Sequence, residues 1–375
     1  MLKVGITGQS GFIGTHLFNF LNLKKKELIL IPFEDKYFND QNLLKEFVNS
    51  CDAIIHLAAM NRHGDPKVIY DTNLRLVNQL LEALETTGSR PHMLFSSSTQ
   101  EERDNLYGKS KHDGRILFEK WADRNRARFT GFVIPNVFGP FGNPYYNSVI
   151  ATFCHQLTHN EQPKIEIDAS LQLIYVNELV DLFYQKISVH AEEPSVERFK
   201  VQFTSENKVS EILSMLGNFK KTYFEEHCFP VLNNNFELNL FNTFRSYFDH
   251  SSRYPVLLKK NSDQRGAFVE TIKTSLGGQF SFSTTFPGVT RGNHYHTRKI
   301  ERFIVIKGKA TIELRRIGTH DILHFELNGE QPSFVDMPVW YTHNITNVGD
   351  EELITLFWIN EFYNPDDPDT YFENV

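Results

Sequence analysis

A chain of 375 residues exceeds the size at which one hydrophobic core stops growing, so two domains are expected. Its formal net charge of −7, with acidic and basic residues interspersed, gives no basic footprint for nucleic acid and no polybasic patch for a membrane. Cys51, Cys154 and Cys228 are isolated thiols, which argues against a disulfide framework or a thiolate zinc site and for a reducing, cytoplasmic setting.

The chain enters a short apolar strand at Leu2–Thr7 without a signal-peptide core. No stretch approaches the roughly twenty apolar residues that cross a bilayer. Strand-like runs follow at Leu28–Pro32, Ala53–Leu57, His92–Ser96 and Phe129–Ile134, with amphipathic stretches such as Asn73–Thr86 and Tyr107–Asn125 between them. This alternation predicts βαβ units and a doubly wound parallel sheet of Rossmann type. A loop rich in Gly, Pro, Tyr and Asn (Asn136–Asn147) leads to a helix around Ser148–His159, where such sheets usually carry a substrate lobe. Ser205–His250 reads as two or three helices with aromatic spacing, and Ser251–Pro255 as a linker. The texture then changes to short alternating runs: Ala267–Lys273, Gln279–Thr285, Arg302–Ile306, Ala310–Arg316, Ser333–Asp336 and Leu353–Trp358. These predict an all-β sandwich or barrel. The expected domains are therefore 1–250 and 254–375.

Thr7-Gly8-Gln9-Ser10-Gly11-Phe12-Ile13-Gly14 closes a strand and opens a helix. In that context the glycines allow a tight turn that brings backbone N–H groups and a helix N-terminus against a pyrophosphate. Tyr107 and Lys111, four apart, share a helical face, and an ammonium beside a phenol is expected to draw the phenol's pKa down towards working pH. Ser98, at the end of a strand, adds a hydroxyl for the same substrate oxygen, with Ser97 as its rival.

These motifs resemble the extended short-chain dehydrogenase/reductase family over roughly the first 250 residues. The resemblance implies that Gly8, Ser10, Gly11, Phe12, Ile13 and Gly14 border the dinucleotide, that Asp52 approaches its adenine, and that Ala58 and Asn73 line the cleft. It makes Ser98, Tyr107 and Lys111 the catalytic set. The gap from Ser98 to Tyr107 is shorter than in most members. Where dehydratases of this family carry Thr-Asp-Glu, this chain has Thr99-Gln100-Glu101, and a glutamine cannot donate the proton that expels water. Reduction or oxidation is favoured over dehydration.

His294 and His296 point to one side of a strand, and Glu301 and His343 complete a set of three imidazoles and a carboxylate. That set suits zinc, with iron, manganese or nickel also compatible in ligand type. Gly292–Glu301 followed by Gly308 resembles the first cupin motif, and Pro338–His343 with Asn347 the second, with Trp340 in place of the usual glycine. Arg291-Gly292-Asn293-His294-Tyr295 also resembles nucleotide-sugar 3,5-epimerases, in which that histidine removes a proton beside a ketone. His294 is thus a candidate base as well as a candidate ligand, and Arg291, Arg298 and Lys299 are candidates for a diphosphate.

Domain order, Asn147–Cys154, Tyr341–Asn344 and the terminal Pro368-Asp369-Thr370-Tyr371-Phe372 resemble, over essentially the whole chain, the bifunctional capsular polysaccharide enzymes that make the UDP-N-acetyl-L-fucosamine precursor. The resemblance implies a UDP-2-acetamido-2,6-dideoxy-L-4-hexulose substrate, inversion at C3 by the cupin (His294, His296), reduction at C4 with NADPH, a zinc ion and a homodimer. Against NADPH stands Glu34-Asp35 after the second strand, since acidic residues there favour the free ribose hydroxyls of NAD. Two rivals remain from sequence: a reductase whose cupin only binds sugar or dimerises, and a nucleotide-sensing regulator.

Overall fold

The computed structural model describes all residues except 190–192, 264–265, 270, 275–277 and 362–363. By contacts the chain divides into two compact units, 1–152 with 167–209, and 153–166 with 210–375.

The first unit is built on β1 (Leu2–Thr7), α1 (Phe12–Asn22), β2 (Leu28–Ile31), α2 (Gln41–Ser50), β3 (Ala53–His56), α3 (Pro66–Thr87), β4 (His92–Ser98), α4 (Leu106–Asn125) and β5 (Arg128–Ile134). There follow β6 (Asn136–Phe138), α5 (Val149–Thr158), whose residues from 153 on belong to the second unit, β7 (Ser170–Tyr175), α6 (Val176–Ser188), β8 (Ser195–Lys200) and β9 (Ser205–Lys208). The main sheet has the order β2-β1-β3-β4-β5-β8 and is parallel throughout. Both faces are covered, and β4 shows why its residues form a central strand: Met93 and Phe95 enter one core layer, with Leu80, Phe118 and Trp121. Leu94 enters the opposite layer with Leu17, Phe132 and Phe183. A near-continuous apolar run is what burial on two faces demands. Strand order reverses between β1 and β3, so a crevice opens beyond their C-terminal ends.

The second unit carries two five-stranded antiparallel sheets, the arrangement of a cupin-like domain. One joins Val256–Leu257, Ser333–Met337, Glu301–Lys307, Leu353–Ile359 and Gln279–Thr285; the other joins Ile322–Asn328, Lys309–Arg316, Tyr341–Asn347, Thr290–Tyr295 and Tyr371–Phe372. Ile304, Phe334 and Val335 from the first sheet meet Ile312, Leu314, Phe325 and Ile345 from the second in one core. The expected run 267–273 is a strand over Gly266–Val269 and again over Lys273–Thr274, while residue 270 lies outside the described residues.

The boundary expected at 250 is corrected by packing. Residues 210–253 belong to the second unit: in the helix Asn235–Arg245, Arg245 donates to the Met337 carbonyl at 3.0 Å, and the helix Val209–Phe219 packs on it through Phe219 and Phe241, 5.1 Å between ring centres. Phe229 lies 4.4 Å from the Trp358 ring, and the Tyr223 hydroxyl bonds to Asp336. Asp336 also takes two bonds from Arg302, at 2.7 and 3.1 Å. The expected linker is corrected too, because Tyr254 is buried in the β-core with its hydroxyl 3.1 Å from that of Tyr223.

Candidate functional site

In the first unit the glycine turn, the ends of β3 and β4 and the start of α4 enclose a cleft of about 960 Å³. Gly8 turns the chain with φ +69°, and a Cβ there would lie 2.6 Å from the Ala58 nitrogen, so the turn can sit against β3 only as glycine. Helix α1 starts at Phe12 with no side-chain cap, which leaves its first N–H groups for an anion. Gly8, Ser10, Gly11, Phe12, Ile13, Gly14, Ala58, Ser98, Tyr107 and Lys111 all line this cleft.

Two expected cofactor residues do not. Asp52 precedes β3 and therefore lies at the opposite end of the parallel sheet, where its carboxylate accepts the Lys3 N–H at 2.8 Å. Asn73 is buried beside the cleft instead of facing it: its amide accepts the Met60 N–H at 2.7 Å and donates to Ser110 Oγ at 2.9 Å. It fixes the loop after β3 to α4. Asp35, one of the two acidic residues weighed for the cofactor's ribose, lines the cleft, and so do residues that sequence reasoning missed, among them Phe38, Asn39, Arg62, Arg75 and Tyr146. Arg62 donates to the carbonyls of Tyr145 and Tyr146 and so ties the Gly/Pro/Tyr/Asn loop to the strand end. The aromatic, glycine-rich composition of that loop was the available signal.

The short gap between Ser98 and Tyr107 is filled by one 3-10 turn, Thr99–Glu102, after which Asn105 caps α4 by accepting the Gly108 N–H at 2.7 Å. A Cβ on Gly108 would stand 1.9 Å from the Gln100 carbonyl oxygen, so this packing requires glycine. Ser97 Oγ donates to Glu101 at 2.6 Å, whereas Ser98 Oγ accepts the Gln100 N–H at 3.2 Å and keeps its own hydrogen to donate. This favours Ser98 over Ser97. Glu101 is held by Arg115 at 3.0 Å and Arg198 at 2.6 Å; burial opposes its ionisation, but those partners and Ser97 hold its carboxyl below the usual range. It is therefore not a proton donor for dehydration.

The expected downward pull on Tyr107 is corrected. Burial, and after it Tyr146, pushes the phenol up to about 12. Lys111, whose ammonium lies 5.9 Å from the Tyr107 ring centre, is driven down to about 8 by burial. A phenol that stays protonated is nevertheless the form that donates a proton.

In the second unit, one donor atom from each of His294, His296, Glu301 and His343 lies within 4.8 Å of the others. A bulge at Asn293, with φ +57°, places His294 opposite His343. Trp340 takes the usual glycine position with φ +61° and is buried against Tyr295. Glu301 Oε2 lies 2.9 Å from His296 Nε2 and 3.3 Å from His343 Nε2. His296 Nδ1 bonds to the Asp369 carbonyl at 2.5 Å and His343 Nδ1 to the Tyr341 carbonyl at 3.3 Å. Both rings hold Nδ1 on a backbone carbonyl, and an ion would meet Nε2 by displacing the proton that His296 shares with Glu301, the arrangement in which metal-binding histidines are oriented from behind. Burial, reinforced by His343 and His296, lowers His294 to about 4 and keeps it neutral. Burial also opposes ionisation of Glu301, yet its imidazole neighbours hold the carboxyl well below the ordinary range. The donor set fits a divalent ion.

Of the diphosphate candidates, Arg298 is bound to Asp367 at 2.8 Å and Lys299 to the Pro368 carbonyl at 2.6 Å, while Arg291 is exposed. The first two anchor the C-terminal segment instead.

Comparison with known proteins places these observations in a family. Residues 4–201 match the NAD dependent epimerase/dehydratase family, and residues 261–371 the polysaccharide biosynthesis C-terminal domain. The chain is 33% identical to UDP-2-acetamido-2,6-beta-L-arabino-hexul-4-ose reductase of Pseudomonas aeruginosa, over 99% of this chain and 98% of that protein. Its structure is similar to that of the capsular polysaccharide assembling protein CapF from Staphylococcus aureus, with a TM-score of 0.62, 33% identity and 100% of both chains covered. RMD from Pseudomonas aeruginosa, solved with NADPH, shares the fold over 59% of this chain and 83% of its own, at 23% identity and a TM-score of 0.53. A full-length relative and a family match over the nucleotide-binding unit show that the chain belongs to the NAD dependent epimerase/dehydratase family.

Proposed function

We propose that the chain is a bifunctional nucleotide-sugar enzyme of surface-polysaccharide synthesis that acts on a UDP-2-acetamido-2,6-dideoxy-L-4-hexulose. Its second unit inverts C3 and its first reduces the C4 ketone with NADPH. The observation that carries the reading is the joint presence of Ser98, Tyr107 and Lys111 in the cleft that the glycine turn closes. A bound dihydronicotinamide supplies the hydride there. Tyr107 gives its phenolic proton to the C4 oxygen, Ser98 donates a hydrogen bond to the same oxygen, and the buried Lys111 ammonium supports the negative charge left on the phenol. Arg62 and Arg75 are the cleft's guanidinium groups for cofactor and substrate phosphates. Because Glu101 is sequestered, the reaction ends at the alcohol.

For C3 inversion, three imidazoles and a carboxylate would hold a divalent ion, which we assign as zinc. Bound, it supplies Lewis acidity to the ketone that makes the neighbouring C–H acidic. In that step His294, the one member of the set that is not fully buried, would leave the ion to His296, Glu301 and His343 and exchange the C3 proton. Inversion needs the ketone that reduction removes, so it comes first. The resemblance adds a homodimer in the cytoplasm, and light scattering giving the mass of two chains would bear out the former. Among the described residues no helix is long and apolar enough to cross a membrane.

The test is NMR of the product formed from the purified UDP-4-keto sugar and NADPH. The reading predicts a C4 alcohol with C3 inverted. Retention at C3 would leave only a reductase, and absence of NADPH oxidation would reject the reductase half.

A further inference from the structure

Asp369 belongs to the terminal Pro-Asp-Thr-Tyr-Phe run to which no chemistry is yet attached. It is 1% exposed, although it is an acid six residues from Val375, and its backbone is left-handed with φ +37°. Its carboxylate accepts four hydrogen bonds: from the Thr297 N–H at 3.1 Å, Thr297 Oγ1 at 2.7 Å, the Arg298 N–H at 3.0 Å and the Lys299 N–H at 3.1 Å. Those residues form the turn directly after His296. The carbonyl of the same residue accepts the His296 Nδ1 proton. One residue thus fixes the backbone that follows His296 and the tautomer of its ring. Asp tolerates the left-handed region better than most residues, and that conformation lets carboxylate and carbonyl serve one turn. The rest of the segment is anchored alongside, with Tyr371 and Phe372 paired to Tyr295 and His294, and the Glu373 N–H on the Asn293 carbonyl at 2.9 Å.

We infer that the segment 369–373 is part of the metal centre, with Asp369 as a positioning residue that presents His296 Nε2 to the ion. This rests on the metal reading of the cluster proposed above. Partners that orient metal-binding histidines typically change affinity by about 10–100-fold when removed. Asp369→Asn keeps the size and one acceptor but turns a donor towards N–H groups, so it weakens binding less than Asp369→Ala.

The experiment strips full-length protein with a chelator and titrates it with Co2+, reading the dissociation constant and the visible d–d bands. Wild type is expected to bind one Co2+ per chain. Asp369→Ala is expected to bind about 10–100-fold more weakly with altered bands, Asp369→Asn to lie between, and Asp367→Asn, which loses only the contact with the Arg298 side chain, to match wild type. A purely structural role would lower the melting temperature before Co2+ is added and leave affinity and bands unchanged, which overturns the inference. If Asp369→Ala does not fold, Asp369→Asn decides: wild-type affinity and bands in that variant overturn it equally. Failure of wild type to bind Co2+ would instead overturn the metal reading itself.

Discussion

Tyr107 and Lys111 occupy one face of α4 and both are buried, so desolvation acts on each in the direction of its uncharged form. With the phenol near 12, Tyr107 remains a proton donor across the working range; Lys111, near 8, is the group that titrates. Because kcat/KM reports groups of the free enzyme, its plot for reduction is expected to fall as pH rises through about 8, when the ammonium is lost. Unfolding does not explain such a limb. A lysine whose folded pKa is depressed leaves the unfolded chain binding more protons between that value and the ordinary one, so its contribution makes the fold more stable as pH rises through that window. Lys111→Arg keeps the charge and should remove the limb while lowering the maximum; an unchanged limb would contradict the assignment. The residue types of this site were legible because spacing and strand context carry them. Asp52 was misread because a residue preceding a parallel strand sits at the edge away from the crevice. Asn73 was misread because a helix period does not say whether an amide faces a ligand or a neighbouring loop.

At the scale of elements, the contact between the 3-10 turn Thr99–Glu102 and the first turn of α4 sets where Ser98 and Tyr107 stand relative to each other. Gly108→Ala would force the Gln100 carbonyl and α4 apart and is expected to cost about 1–3 kcal/mol, read as a lowered melting temperature, together with weaker reduction. An unchanged melting temperature would show that the turn is not fixed by this packing. Strands were legible where burial alternates or is continuous, as at Leu2–Thr7 and Gln279–Thr285, which match in both bounds. Helix α3 begins at Pro66, well before the predicted Asn73, because Asp65 caps it by accepting the Lys67 N–H at 2.9 Å with Pro66 in the first turn. That signal lay outside the apolar period. The bulge at Asn293, on which the facing of His294 and His343 depends, is a register feature that an alternating pattern does not encode.

Over the whole molecule, composition announced two domains but not where the second begins. The helices of 210–253 read as part of the nucleotide-binding half because they follow it in sequence, yet their aromatic side chains cover the first sheet of the second unit. Asp336 is fully buried among Arg302, Tyr223 and Tyr254; burial opposes its ionisation, and Arg302 foremost holds its carboxyl below the usual range. A fragment 254–375 keeps the Arg302–Asp336 pair but loses Tyr223 and uncovers the Trp358 face, and each large side chain so exposed forfeits roughly 1.5–3 kcal/mol. It is expected to melt below a fragment 210–375; equal melting temperatures would restore a boundary at 254. The claim that both reactions use one ketone is tested most directly by the Tyr107→Phe full-length protein, incubated in heavy water with the UDP-4-keto sugar and no NADPH. The account predicts deuterium at C3 of the recovered sugar, and no NADPH oxidation when the cofactor is then added. Absence of deuterium at C3, with binding of the sugar demonstrated, would contradict it and leave the second unit without an epimerase reaction.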